Sequence, residues 1–537
     1  MQKNYYSYTV IIADDSKLVC TSLSSILRNM GFNQGNIHLA YKPAELIAKC
    51  NEIKFDVIIC DYNFNSNLNG NQLFSEIKNS RAYDPRSVFI FLTGENNSRV
   101  VRSILDAEPD DYILKPFTKE ILVKRLRASI SRKRELIQIY AAIAERNYHR
   151  VITECEQHLV LNNEHQPLIR KIKSEAHLEL GQISQAKSEY ESMLEDYDYD
   201  WIKISLANLS IKANKIEQAK LILEKLKDKE TSPYYHDNMS SISLLNNDLP
   251  NAIHHLKSAE LLLDGGQERD LVISNLFLAM GEYENAYLYA KKYHDQNKYT
   301  YRSTNKTRLI YVRYYLIYLL NNNEQSHCAF EIDRELSAIK LNLELLPQVE
   351  VIQVGLNILS GNLINLHDKI ERIISTESIF SNLDFYDLYF FAFILSMLSL
   401  DNQTKYVLHS CKKSIVTEKN EVSITNDYLL KQLKNRFERN IEKVTLLQKD
   451  IENHRLKSSD DFFETLFELQ RLQPFCIKVC SAIIHILANV NKTHKDKIHI
   501  LKMLQNSFLI LSELLSNQPN RLKKIREKYQ MALKKIM

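Results

Sequence analysis

Glycine and proline are scarce, 10 of each in 537 residues. So few turn-forming and kink-forming residues predict a mostly helical chain with short connections. Long apolar runs are missing too. The longest, LYFFAFILSMLSL at 388–400, is shorter than the roughly 20 residues that cross a bilayer and predicts a buried helix. The opening MQKNYYSYTVIIADD has no apolar stretch between charged and small-residue flanks, so no secretory signal is expected. Charge of one sign is not in excess. Lys and Arg number 70 and Asp and Glu 66, a net +4, which calls for neither nucleic acid nor an acidic membrane. The eight cysteines are scattered. Only Cys476 and Cys480 are close, at i,i+4 and without a His or Cys cluster to complete a metal site. Reduced, buried thiols in a cytoplasmic protein are expected. No H-E-x-x-H, Gly-rich phosphate loop, nucleophile elbow or basic recognition helix is visible.

At this length two or more domains are expected. The first part alternates strand and helix. YTVIIA at 8–13, a short run at 37–40, FDVIICDYN at 55–63, SVFIFLT at 87–93 and YILK at 112–115 read as five strands. Helical periodicity fills the intervals, and Pro43 opens one of them. Strict alternation predicts a parallel sheet with helices on both faces. In such a sheet all carboxyl ends lie at one edge. Asp14 and Asp15 follow the first strand, Asp61 ends the third, Thr93 the fourth and Lys115 the fifth. Three carboxylates at one edge raise one another's pKa. A divalent cation removes that conflict, and oxygen-only donors suit Mg2+. Phosphoryl transfer needs an in-line nucleophile, a metal and positive charge on the equatorial oxygens. Taken singly, Asp14-Asp15 reads as a turn or cap, and Asp61 as a loop acid. Five ordered residues on four strand ends point to one site.

These residues resemble the receiver domain of two-component response regulators. ADD, ICDYN, FLTGE and DDYILKPFT carry the likeness from Tyr8 to about Arg132. The resemblance implies a doubly wound (βα)5 flavodoxin-like fold over 1–132. It implies Asp61 as phospho-acceptor, Asp14, Asp15 and Asp61 as Mg2+ ligands, and the Asn63 carbonyl as a further ligand. Thr93 and Lys115 would contact the phosphoryl oxygens, and Tyr112 would switch with Thr93. Asn63 and Glu95 would tune hydrolysis of the acyl phosphate. The loop NFNSNLNG at 63–70 departs from the family by lacking a proline and by one extra residue, which puts the shape of a partner-facing loop in question.

Between Phe117 and Gln166 there is no Gly or Pro. The last receiver helix is therefore expected to run on past the charged SRKRE at 131–135. Beyond it, segments from Arg146, Gly181, Asn214, Asn247 and Gly281 align at a period near 34 residues. Ala186, Ala219, Ala252 and Ala286 recur on the second helix of each pair, and Ser174, Ala207, Ser240 and Ser274 on the first. Small residues at fixed spots let helices approach closely and stack. The pattern resembles the tetratricopeptide repeat, over 133–300. Degenerate repeats and a helical cap are expected over 301–537, ending in a basic amphipathic helix at 520–537. The fold class expected is α/β plus all-α.

The function these features imply is a phosphorylation-controlled signalling adaptor rather than an enzyme. A histidine kinase or histidine phosphotransfer protein would supply the phosphoryl group. The repeats would hold a protein target, with self-association as a further route. The alternative is a transcriptional regulator with a cryptic nucleic-acid surface in the helical part.

Overall fold

A computed structural model describes residues 5–64, 68–79, 83–161, 164–263, 268–300, 302–322, 329–339, 346–415, 421–452, 459–489 and 497–537. The expected alternation is realised as β1 (Val10–Ala13), α1 (Lys17–Met30), β2 (Ile37–Ala40), α2 (Pro43–Glu52), β3 (Val57–Asp61), α3 (Gly70–Asn79), β4 (Val88–Thr93), α4 (Ser98–Asp106), β5 (Asp111–Leu114) and α5 (Lys119–Glu135). The strands pair in parallel in the order β2-β1-β3-β4-β5. β1, β3 and β4 are buried throughout, which is why they read as unbroken apolar runs.

Successive strand residues face opposite sides. Val10, Ile12, Ile59 and Ile90 meet α1 and α5 through Leu23, Leu27, Leu122 and Leu126. Ile11, Ile58, Phe89 and Phe91 meet α2, α3 and α4 through Leu46, Leu73, Phe74 and Ile104. Each such side chain contributes about 1.5–3 kcal/mol on burial. Gly70 opens α3 because a Cβ there would lie 2.6 Å from the Tyr62 ring and 2.9 Å from Phe91.

The last receiver helix does not run on, in contrast to the expectation from the missing Gly and Pro. α5 stops at Glu135, and α6 (Ile137–Ala144) starts after Leu136 at φ −100°, ψ 20°. Leu136 is fully buried in a cluster with Ile139 and Ala142. Packing of this apolar corner overrides helix propensity.

The helices that follow are α7 (Tyr148–Val160), α8 (Gln166–Glu179), α9 (Ile183–Asp196), α10 (Asp200–Lys212), α11 (Ile216–Leu223), α12 (Pro233–Leu245), α13 (Leu249–Leu262), α14 (Arg269–Met280) and α15 (Tyr283–Asn297). The expected turn formers end helices in the left-handed conformation, with φ of 71° at Gly181, 58° at Asn214, 60° at Asn247 and 80° at Gly281. Arg146 joins them at φ 53°. At Gly181 the amide donates to the Leu178 carbonyl, and the next amide to that of His177. The same doublet recurs at Arg146, Asn214, Asn247 and Gly281, so each is a Schellman termination. All eight expected small residues are buried, none above 1% exposed.

The chain divides into two compact units, 1–269 with 295–303, and 270–294 with 304–537. In the second unit the apolar runs expected at 309–320, 349–360, 388–400 and 462–472 fall on the helices Asn305–Asn322, Leu346–Leu359, Phe385–Met397 and Ser459–Leu472. Left-handed terminations persist at Gly361 and Ser399, where no register was legible. The core of this unit holds polar groups. Arg313, 1% exposed, pairs with the fully buried Asp387. Asn275 donates to Tyr386 Oη and to Thr425 Oγ1, both at 3.1 Å, and accepts from Tyr314 Oη at 2.6 Å. The terminal helix Pro519–Ile536 seats Ala532, Ile525 and Tyr529 on the neighbouring helices. Cys20, Cys50, Cys60, Cys155, Cys411, Cys476 and Cys480 are free and buried, while Cys328 lies outside the described residues. Among the described residues no helix is long and apolar enough to cross a membrane.

Candidate functional site

The sheet order β2-β1-β3-β4-β5 reverses its direction of winding between β1 and β3, and the crevice beyond their carboxyl ends is where doubly wound folds hold ligands. Asp14 leaves β1 there and is 1% exposed, and Asp61 ends β3 at 6%. Asp15 is exposed beside them, and one oxygen of each of the three acids falls within 4.8 Å of the others. The short turn into α1 fixes Asp14. Its Oδ1 accepts from the Ser16 amide at 2.8 Å, and Ser16 caps the helix. The donor set is all carboxylate oxygen, which fits a hard divalent cation. Among the described residues this is the one cluster of three such ligands.

Lys115, just past β5, reaches back across the edge. Its Nζ lies 2.7 Å from Asp14 Oδ2 and 2.9 Å from Asp61 Oδ1. Burial pushes the Asp61 carboxyl above its ordinary pKa. Lys115 works against that shift, and Asp14 and Asp15 reinforce it. For Lys115 burial lowers the pKa, but its bonds to Asp14 and Asp61 outweigh this and raise it. Thr93 is fully buried at the end of β4, and its Oγ1 accepts from the Glu95 amide at 3.1 Å. The Lys115 amide donates to the Thr93 carbonyl at 2.7 Å.

At the mouth of the site Asn63 Nδ2 donates to Glu95 Oε1 at 3.2 Å. Both residues were singled out in the sequence, but not as partners. Tyr112 lies one strand over from Phe91 in register, half-buried, with the Arg125 guanidinium 5.8 Å from its ring. The departure expected in the loop 63–70 falls in part on 65–67, outside the described residues. Cys20, whose Sγ donates to the Asp14 carbonyl, has its thiol pushed up to about 11 by burial and takes no part as a nucleophile.

What sequence reasoning missed is the attachment of α4. This helix begins shortly after Thr93 and is tied to the helices that follow α6 within the same unit. Arg99 Nε donates to the Leu263 carbonyl at 2.7 Å, and Tyr234 Oη donates to Asp106. Lys171 pairs with Glu108, just past α4. From α3, Gln72 donates to the Gln296 carbonyl at 3.1 Å. These partners are separated by 63 to 224 residues, so no local pattern announces them. Among those helices His255 Nδ1 lies 3.2 Å from that of His236.

Comparison with known proteins bears on the first part of the chain. The family model described as response regulator receiver domain matches residues 10–127. The transcriptional regulatory protein ZraR of Salmonella typhimurium is 28% identical over 126 residues, which are 24% of this chain and 27% of that relative. The chain thus spans about a quarter of the length of that relative. A chemotaxis protein CheY homolog of Campylobacter jejuni is 25% identical over 118 residues, 22% of this chain and 88% of that one. The crystal structure of a two-component response regulator from Clostridium difficile covers 24% of this chain and 98% of its own, at 28% identity and a TM-score of 0.21. Residues 10–127 are therefore a response-regulator receiver domain, joined to a long all-helical region.

Proposed function

We propose that the receiver is the input of a phosphorylation-controlled signalling adaptor, and that Asp61 is its phospho-acceptor. The observation that carries this is the Lys115 ammonium bridging Asp14 and Asp61 at the crevice. In the proposed step an Asp61 carboxylate oxygen attacks the phosphorus of a phosphohistidine in line. The P–N bond breaks, the imidazole leaves with a proton from solvent, and an acyl phosphate remains on Asp61. Lys115 and the Thr93 hydroxyl hold the phosphoryl oxygens. Asp14, Asp15, Asp61 and the Asn63 carbonyl would hold Mg2+. The bound cation would screen the repulsion between the carboxylates and the phosphoryl oxygens. Asn63 and Glu95, bonded across the mouth, would restrict the water that hydrolyses the acyl phosphate, and Tyr112 would follow the movement of Thr93. No further reaction is assigned to the chain. A cytoplasmic histidine kinase or histidine phosphotransfer protein would be the donor.

The output is assigned to the helical region, as tetratricopeptide-like repeats that hold a protein target. Five Schellman terminations at one period support the repeat assignment. The ties from α4 to the repeats supply a route from Thr93 to them. A full switch would require phosphorylation to favour one state by about 5.5 kcal/mol over the other. The test is to treat the full chain with a small phosphodonor and Mg2+ and measure intact mass, oligomeric state and bound proteins. Wild type gains one phosphoryl group and changes partners, and Asp61→Asn does neither. Phosphoryl addition that persists in Asp61→Asn would sink the assignment.

One observation favours transcriptional control as a second reading. Arg521, Lys523, Lys524 and Arg526 stand exposed on the terminal helix, with no ion pair among the described residues. That reading predicts DNA affinity that falls steeply with added salt.

A further inference from the structure

The opposite edge of the receiver sheet carries a cleft that phosphotransfer does not use. It has a volume of about 330 Å3 and opens between the residues that lead into β1, β3 and β4 and the junction of α5 with α6. Its floor is apolar, with Phe55 4%, Val88 2% and Ile130 1% exposed. One wall is the half-buried phenol of Tyr8. The rim is charged, with four cations, Lys54, Arg86, Lys133 and Arg134, against two acids, Asp56 and Asp84.

Both acids are already engaged. Asp56 Oδ2 accepts from the Thr9 amide at 2.8 Å and from its hydroxyl at 3.0 Å. Asp84 takes Arg86 through two bonds, at 2.9 and 2.5 Å. The buried Lys133 is satisfied by the Pro85 carbonyl at 2.7 Å and by Asp110 at 3.2 Å. Lys54 and Arg134 are different. Neither has a carboxylate partner at ion-pair distance among the described residues, and Arg134 lies 5.8 Å from the Tyr8 ring. Burial and the nearby Asp56 raise the Tyr8 pKa, against the effect of Arg134, so its hydroxyl stays a donor. The groups without an ion-pair partner facing the cleft are thus two cations, Lys54 and Arg134, against one acid, Asp56, held only by neutral donors, with a hydroxyl donor over an apolar floor.

We infer that this cleft binds a small organic anion, a carboxylate or phosphate carried on a planar ring. The ring would lie against the half-buried ring of Tyr8, and the anionic group would meet Lys54 and Arg134. The volume is at the lower end of the roughly 300–1,000 Å3 typical of small-molecule sites, which limits the ligand to one of nucleoside-monophosphate size or smaller. Because Arg134 lies in the last turn of α5 and Ile137 begins α6, an occupant would brace the break at Leu136 between the receiver and the helices that follow. This inference stands apart from the phosphorylation of Asp61.

The test is calorimetric titration of the full chain with three probes: AMP, benzoate and inorganic phosphate. AMP or benzoate binds saturably in the millimolar range or tighter, and inorganic phosphate does not. Lys54→Glu with Arg134→Glu weakens binding by about tenfold or more, the loss of charge-assisted contacts. Asp61→Asn leaves it unchanged. Should the charge-reversed pair fail to fold, Arg134→Gln is read by the same titration, with a smaller loss expected. The inference is overturned if neither ring-bearing anion saturates, if inorganic phosphate binds as tightly as AMP, or if the charge variants bind like wild type.

Discussion

A buried carboxylate is costly unless something pays its desolvation, and at the crevice Lys115 does this for two acids at once. The compensation is incomplete for Asp61, whose carboxyl remains above its ordinary pKa, chiefly through burial. A raised folded-state pKa favours the protonated form, so its contribution to stability is present below the ordinary carboxylate pKa and is lost as pH rises through the raised value. Asp61→Asn is therefore expected to melt higher than wild type at neutral pH in chelator, with the gap closing as pH falls into the acid range. Thermal melts across pH check this, and a variant less stable at neutral pH would refute it. Mg2+ held by the same residues would act with the opposite sign. Mg2+ at about a hundredfold over its Kd should stabilise the wild type by about 2.7 kcal/mol. Chelator should reverse the gain, and Asp14→Asn should lose most of it.

At the scale of elements, the helix endings are the informative feature. Gly181 and Gly281 take left-handed φ at little cost, whereas Arg146 holds φ 53° with a Cβ. A non-glycine residue there gives up about 1 kcal/mol. Arg146→Gly is thus expected to raise stability by about 0.5–1 kcal/mol, and Gly181→Ala to lower it by about 1 kcal/mol. A Cβ at Gly181 meets nothing within 4 Å, so this loss would be conformational rather than steric. Chemical denaturation of the two variants measures both, and equal midpoints would contradict the Schellman assignment. Gly181, Asn214, Asn247 and Gly281 were legible because glycine and asparagine tolerate this conformation. Arg146 aligned with them only by period. The break at Leu136 was not legible, because a leucine carries no signal that its burial will redirect a helix.

For the whole molecule, the proposed switch would run from Thr93 through α4 to the helices of the same unit. Its ties among the described residues include Arg99 to the Leu263 and Glu260 carbonyls, Tyr234 to Asp106, and Lys171 to Glu108 nearby. Each is worth about 1 kcal/mol net, so an input of a few kcal/mol can release them. Hydrogen exchange should show Ser98–Asp106 losing protection when wild type is given phosphodonor and Mg2+. Arg99→Ala with Tyr234→Phe should show low protection without the donor. Unchanged exchange in both would rule α4 out as the coupling element.

The sequence by itself determined the receiver's strands, the crevice residues Asp14, Asp15, Asp61, Thr93 and Lys115, and the period of the helical region. Each rests on local chemistry: unbroken apolar runs, acids at strand ends, and residues that accept a left-handed turn. Only the tertiary structure decided which groups touch. The bond between Asn63 and Glu95, the ties of α4 and Glu108 to residues 63 to 164 positions away, and the cleft between Tyr8, Lys54 and Arg134 all join distant segments. Contacts of that kind depend on packing of surfaces that no window of sequence contains, and here they set both the route out of the crevice and the second site at the opposite edge.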